Sequence, residues 1–267
     1  MDLSVPPDSK TARLPRPLRP LAVVTHWAYM ELRALGHRAP PRPYVFEADG
    51  LATVHHSPFL TDQAFSASYE EMASEWFVHA KVDVRWRMWL LTRFAHHCRE
   101  LEGDYAEFGV YRAGCAYMML ATSGLPRSKR LFLFDTYAGF PPDMLTDSER
   151  AVGLHGALEN TSVEYVTSRL APWKAQITTV EGDVFDTLPR TETGRLAFVH
   201  MDLNLSKPTQ AALEYAYPRL TPGAIVVFDD YGGAGLEAQR VVVDDFFADK
   251  TEEVIALPSG QGMMIKH

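Results

Sequence analysis

Three aspartates stand where buried strands should end. Asp202 closes the run in AFVHMDLN (197–204), and Asp229 and Asp230 close the run in AIVVFDDYGG (224–233). Each run is apolar and β-branched, and has the length of a fully buried parallel strand. A carboxylate at such a place needs water, a hydrogen-bond donor, a cation or a proton. Two kinds of role meet that need. The acids cap the loops and helices that follow, or they face a common crevice and hold something there. Glu107 in YAEFGV, Asp135 in LFLFD and Asp183 in VEGD repeat the arrangement.

The elements that must position these acids are legible along the chain. The 267 residues suit one large α/β domain, or one domain with an appendage. Hydrophobic residues make up 46% and charged residues 22%, so a sizeable core is available. Residues 1–20 and 38–44 are proline-rich, and LAVVTHWAYMELRALG between them has the pattern of a helix ending at Gly36. From about Ser66 to Arg99 the composition is helical, with Trp86, Trp89, Leu90, Arg93 and Phe94 at helical spacing. The two tryptophans read as helix packing. From Tyr105 onward short apolar runs recur at 105–110, 131–135, 177–183, 196–202, 224–230, 253–257 and 262–267. Helix-like segments lie between most of them, at 114–124, 161–171, 208–220 and 235–249. This alternation predicts a mostly parallel sheet with helices on both faces. PSGQ between the last two runs predicts a hairpin and an antiparallel final strand. The division expected is an N-terminal extension with lid and helices (1–104) and a ligand-binding domain (105–267).

Charge and cysteine content narrow the partners. A net charge of −8 and a pI of about 5.7 argue against nucleic acid held through its phosphates. Cys98 and Cys115 offer no disulfide framework or metal-binding pair, which makes a cytoplasmic location the expectation. The N-terminal stretch has no secretory h-region, and no run approaches the roughly 18 apolar residues of a membrane span.

Seven strands with a C-terminal hairpin resemble the class I S-adenosylmethionine-dependent methyltransferase fold. In such open sheets, ligands sit beyond the carboxyl ends of the strands where strand order switches. AEFGVYRAG (106–114) ends the first strand and opens a helix, and supplies Glu107, Gly109, Tyr111, Arg112 and Gly114 as cofactor-binding candidates. It lacks the glycines of a nicotinamide fingerprint. A carboxylate at Glu107 suits the amino end of S-adenosylmethionine. Asp135 is placed to accept the ribose hydroxyls. Gly182 and Asp183 end the third strand, with Asp183 toward the adenine amino group and Val184 and Phe185 on the ring. The alternative for Asp135 and Asp183 is a helix N-cap.

In this fold Asp202 and the Asp229–Asp230 pair come from neighbouring strands, about 4.8 Å apart in the pairing direction. Carboxylates that close repel one another, so a pKa rises or a cation sits among them. An all-oxygen set suits Mg²⁺, or Mn²⁺ in its place. A hydroxyl bound to such an ion loses its proton more easily, and an adjacent carboxylate can take it.

EFGVYRAG, FDTYAGFP and HMDLNLSKPTQAALEYAYPRLTPGAIVVFDDYG together resemble the macrocin O-methyltransferase family, over roughly residues 50–267. The resemblance implies methylation of sugar hydroxyls on macrolides and aminocoumarins. It also implies Mg²⁺ held at Asp202, Asp229 and Asp230, with Asp202 as the base. The family often carries a second acid and a tyrosine at the places of Asn204 and Ser206, and a glycine at the place of Ala113.

The histidines carry a rival. His55 and His56 lie in TVHHSPF, an aperiodic segment placed to fold as a lid, and His56 is an alternative base. His200, inside a strand, reads as a satisfied core residue. The expectation is therefore a Mg²⁺-dependent O-methyltransferase of bacterial secondary metabolism, acting on a small natural product. The alternatives are a metal-free enzyme with a histidine base and another oxygen or nitrogen acceptor, and a non-catalytic cofactor-binding partner. No nucleic-acid or membrane partner is expected, and a homo-oligomer is left open.

Overall fold

The computed structural model describes residues 43–76, 82–151, 153–154 and 157–267. The proline-rich stretch at 1–20 and the helix expected before Gly36 lie outside these residues. The described chain begins with a two-stranded hairpin, β1 (Phe46–Ala48) and β2 (Leu51–Thr53). Its turn is Asp49–Gly50, with φ of +49° and +71°. Asp-Gly with both residues at positive φ is the signature of a tight hairpin turn. The signal was present in the sequence, inside a segment otherwise without period.

Helices α1 (Gln63–Trp76) and α2 (Arg85–His97) follow, so the helical region between Ser66 and Arg99 is more than one element. Asp62 Oδ1 accepts the Phe65 N–H at 2.9 Å at the start of α1. In α1, Phe65 meets Trp89 of α2 edge to face at 5.2 Å. The remaining elements alternate: β3 (Asp104–Phe108), α3 (Gly114–Thr122), β4 (Leu131–Asp135), α4 (Asp147–Ala151), α5 (Val163–Arg169), β5 (Ile177–Glu181), α6 (Val184–Thr187), β6 (Leu196–Met201), α7 (Ser206–Ala216), β7 (Leu220–Phe228), α8 (Glu237–Phe247), β8 (Ile255–Ala256) and β9 (Gly262–Ile265). Contacts divide the described chain into two compact units. One includes Ala52–Thr61, and the other comprises Ala48–Leu51 and Asp62–His267. In the first, Phe46 packs edge to face on Phe59 at 5.6 Å.

The second unit holds a seven-stranded sheet in the order β5-β4-β3-β6-β7-β9-β8. All pairs among β3 to β7 are parallel, and β9 is antiparallel to both β7 and β8. The chain therefore runs outward from β3 to β5 and returns to start β6 on the other side of β3. That reversal is the switch point at which such sheets bind ligands.

Strand parity divides the sheet into two chemistries. Ala106 and Phe108, Phe132 and Phe134, Val199 and Met201, and Val226 and Phe228 belong to one apolar cluster with Leu213 and Ala216 of α7 and Val243 and Phe247 of α8. Phe108 stacks on Phe134 at 4.6 Å. Each of the larger side chains among them stabilises the fold by about 1.5–3 kcal/mol through burial. The alternate positions, Glu107, Asp135, His200 and, past the strand ends, Asp202 and Asp229, fall on the opposite parity. Helix α2 packs near β6 and β7, and α3 packs on α1 and α2. No helix among the described residues is long and apolar enough to cross a membrane.

Candidate active site

The carboxyl ends of the parallel strands open into a cavity of about 390 Å³ within the second unit. Glu107, Asp135, Asp183, Asp202 and Asp229 all line it, from five successive strands of the sheet. Gly109, Tyr111, Gly182 and Val184 line it as well. Arg112 and Gly114 do not. The Arg112 guanidinium lies 4.2 Å from the Tyr165 ring centroid and donates to the Tyr165 hydroxyl, so it fastens α5. Gly114 is the first residue of α3. Phe185 is 45% exposed and turned from the cavity its neighbour Val184 lines.

Gly109 is the tightest point. Its φ is +86°, and a Cβ there would lie 2.0 Å from the backbone oxygen of Asp202. Only glycine lets the turn after β3 approach the end of β6 so closely. Tyr111 and Ala113 follow at φ +50° and +62°. Ala113 thus adopts the left-handed conformation that ordinarily favours glycine.

The Asp135 carboxylate holds this strained turn. Its Oδ2 accepts the N–H groups of Val110 at 2.6 Å and Tyr111 at 2.8 Å, and its Oδ1 accepts the Tyr137 N–H at 2.7 Å. A carboxylate offers about four acceptor positions, so these bonds leave about one for a ligand. Asp183 is the N-cap of α6, accepting the Phe185 N–H at 2.9 Å, and it also lines the cavity. Capping and cavity lining coexist in this residue.

The acids at the other end meet two cations that sequence reasoning did not assign. Arg87 of α2 donates to Asp229 Oδ2 at 2.7 Å and to its backbone oxygen at 2.9 Å. It also donates to Asp49 at 3.1 Å and lies 3.8 Å from Asp230. His200 is fully buried, with Nδ1 at 3.0 Å from Glu107 and Nε2 at 3.5 Å from Asp229. It is satisfied inside the fold, by two carboxylates. Gln261 donates to Asp229 Oδ1 at 2.8 Å. Helix periodicity placed Arg87 on α2, and nothing local marked the residue 142 positions away that it serves.

The titration behaviour follows from these contacts. Burial works against charge on Asp229, yet Arg87 and His200 overcome it and hold the carboxyl well below the usual range. Burial would lower His200, but hydrogen bonds to Asp229 and Glu107 push it up to about 10, so it is a cation at neutral pH. Asp202 is raised well above its ordinary value by burial and by the Asp229 and Asp230 charges, which outweigh the nearby His200. Asp230 is raised to about 6 by burial and Asp229, partly offset by Arg87, and it accepts the Asn204 side-chain amide. Glu107 is raised by burial, and its Oε2 is buried without a partner. With Asp49 also on Arg87, five carboxylates here face two cations, so the excess is left for protons or for a bound cation. His200, Asp202 and Asp229 each offer a ligand atom within 4.8 Å of one another.

His55 and His56 belong to the other compact unit and are exposed. The His55 N–H donates to Thr53 Oγ1 at 3.1 Å.

This strand order, with its cavity at the β3/β6 switch, defines the class I methyltransferase fold. The chain belongs to the macrocin O-methyltransferase (TylF) family, whose model matches residues 53–256. Over 179 residues it is 30% identical to the 8-demethyl-8-(2,3-dimethoxy-alpha-L-rhamnosyl)-tetracenomycin-C 4'-O-methyltransferase of Streptomyces olivaceus. That match covers 62% of this chain and 66% of the relative, just under two thirds of its length. The structure of the O-methyltransferase NovP superposes with a TM-score of 0.67 at 21% identity, covering 76% of this chain and 97% of NovP. An O-methyltransferase from Bacillus cereus, solved in complex with SAH, superposes with a TM-score of 0.51 at 13% identity, covering 78% and 92%. At these identities the two structures speak to the fold alone.

Proposed function

We propose that the protein is an S-adenosylmethionine-dependent O-methyltransferase acting on a sugar hydroxyl of a small bacterial natural product. The observation that carries this reading is the buried, unpartnered Glu107 Oε2 at a cavity that Asp135, Asp183 and Asp202 also line. An orphaned buried carboxylate oxygen is costly unless a ligand supplies the missing donor. The amino group of S-adenosylmethionine is such a donor. Asp135 retains one acceptor position for the ribose, and Asp183 and Val184 bound the adenine side. The sugar acceptor is inferred from family membership and from the rhamnosyl group in the relative's name.

S-adenosylmethionine, when bound, would supply an electrophilic methyl group to the acceptor's hydroxyl oxygen, the C–O bond forming as the C–S bond breaks with its electron pair left on sulfur. Asp202 takes the hydroxyl proton. A carboxylate with a raised pKa is the better proton acceptor once ionised. The chain's contribution is alignment and exclusion of water rather than a covalent intermediate.

The donor set fits a hard divalent cation, because the cluster holds more carboxylates than cations and every candidate ligand atom of Asp202, Asp229 and Asp230 is oxygen, so an ion would take the place of a proton there. These three residues would hold Mg²⁺, with Asp229 the most committed elsewhere, to Arg87 and Gln261. When bound, the ion would acidify a nearby hydroxyl and keep Asp202 ionised.

Calorimetry with S-adenosylhomocysteine, followed by label transfer from methyl-labelled S-adenosylmethionine to rhamnosylated polyketides, tests the reading. Micromolar binding and label recovered as a sugar methyl ether are expected. A protein that binds neither S-adenosylmethionine nor its product would overturn it.

A further inference from the structure

His200 does not line the cavity, yet it joins the two groups that do. It is paired in register with Glu107 across the parallel β3–β6 ladder, so both side chains leave the sheet on the same face. On its other side, β7 carries Val227 in register with His200, and Asp229 follows two residues later on the same parity. The imidazole therefore sits between two carboxylates of neighbouring strands, with one ring nitrogen toward each. Cys115 of α3 closes the Glu107 side, its Sγ within 4.8 Å of ligand atoms of both Glu107 and His200. Asp202 stands at the Asp229 side.

We propose that His200 is a positioning residue that ties Glu107 to Asp229 in the cavity wall, occupying Glu107 Oε1 so that Oε2 alone is left unpartnered for the ligand. The inference rests on the cofactor assignment above, and it assigns His200 no contact with any substrate. Three features carry it. A glutamate has three rotatable bonds, and a fixed contact at one oxygen removes the freedom they carry. The contact to His200 fixes one oxygen and leaves the other orphaned. Asp229 is held in turn by Arg87 and Gln261, so the imidazole is anchored at its far side and cannot follow a wandering Glu107.

The test is a double-mutant cycle read by S-adenosylhomocysteine calorimetry on wild type, H200Q, E107Q and H200Q/E107Q, each checked by thermal melting. The expected result is binding about 10-fold weaker in H200Q, as for the loss of a charge-assisted contact. E107Q should be weakened at least as much. The double variant should match E107Q within about two-fold, since the effect of His200 passes through Glu107. Losses that multiply in the double variant, or an H200Q protein that binds like wild type, would overturn the role and leave the function standing. Failure of the wild type to bind S-adenosylhomocysteine would overturn both. Should H200Q fail to fold, nitrogen-15 imidazole spectra of the wild type decide. The His200 Nδ1 resonance should move when S-adenosylhomocysteine is added, and a static resonance under saturation would sink the proposal.

Discussion

Arg87 donates to Asp229 twice, to the carboxylate at 2.7 Å and to the backbone carbonyl at 2.9 Å. One side chain thus fixes both the charge and the backbone at the end of β7. Both side chains are largely buried, at 16% and 8% exposure, so removing one partner strands the other's charge. Arg87→Met should lower stability by about 3–5 kcal/mol in denaturant unfolding. Arg87→Met combined with Asp229→Asn should recover much of that loss. A single variant within about 0.5 kcal/mol of wild type would show that the contact is not what holds this end of the sheet.

His200 makes stability depend on alkaline pH. Its pKa is raised in the folded state from the ordinary 6.5 to about 10. A raised pKa means that the folded state binds the proton more tightly than the unfolded chain. The stabilisation is therefore complete below about pH 6.5 and is lost as pH rises toward 10. Unfolding free energies measured across that window should fall, and the fall should be flatter in H200Q. Equal slopes in the two proteins would refute the assignment.

Asp135 is expected to matter through the backbone as much as through the ligand. Asp135→Asn puts an amide where two acceptors serve the Val110, Tyr111 and Tyr137 N–H groups. Hydrogen exchange at residues 109–113 should speed up in the variant even without ligand. S-adenosylhomocysteine should bind at least about 10-fold more weakly. Weaker binding with unchanged exchange would mean that Asp135 acts on the ligand alone.

The acid cluster makes a prediction about divalent ions. Chelation should abolish methyl transfer while S-adenosylhomocysteine affinity stays within about three-fold, because the ion would serve the acceptor oxygen. Mg²⁺ should restore turnover. Asp202→Asn should depress kcat most, since a ligand and the proton acceptor go together. Full activity in excess EDTA would remove the metal from the mechanism.

Much of this arrangement was written locally. The strands of the sheet were legible because buried parallel strands are apolar runs. Gly109 was legible as a turn, although the need for it, a Cβ position 2.0 Å from the Asp202 oxygen, is a tertiary fact. The acids were recognisable because each interrupts an apolar run at its carboxyl end.

Other features were decided only when distant segments met. Arg87 reads in sequence as one more polar residue on an amphipathic helix, and its partner lies 142 positions along the chain. Gln261 follows a hairpin turn, and its amide reaches Asp229 only because β9 pairs antiparallel with β7. Asp135 was expected to serve a ligand, but folding brought three backbone N–H groups to it first. The physical reason is the same in each case. Periodicity and turn chemistry are encoded within a few residues and fix which face a side chain takes. Which donor satisfies a buried charge depends on contacts between elements far apart in the chain, and local pattern carries no record of them.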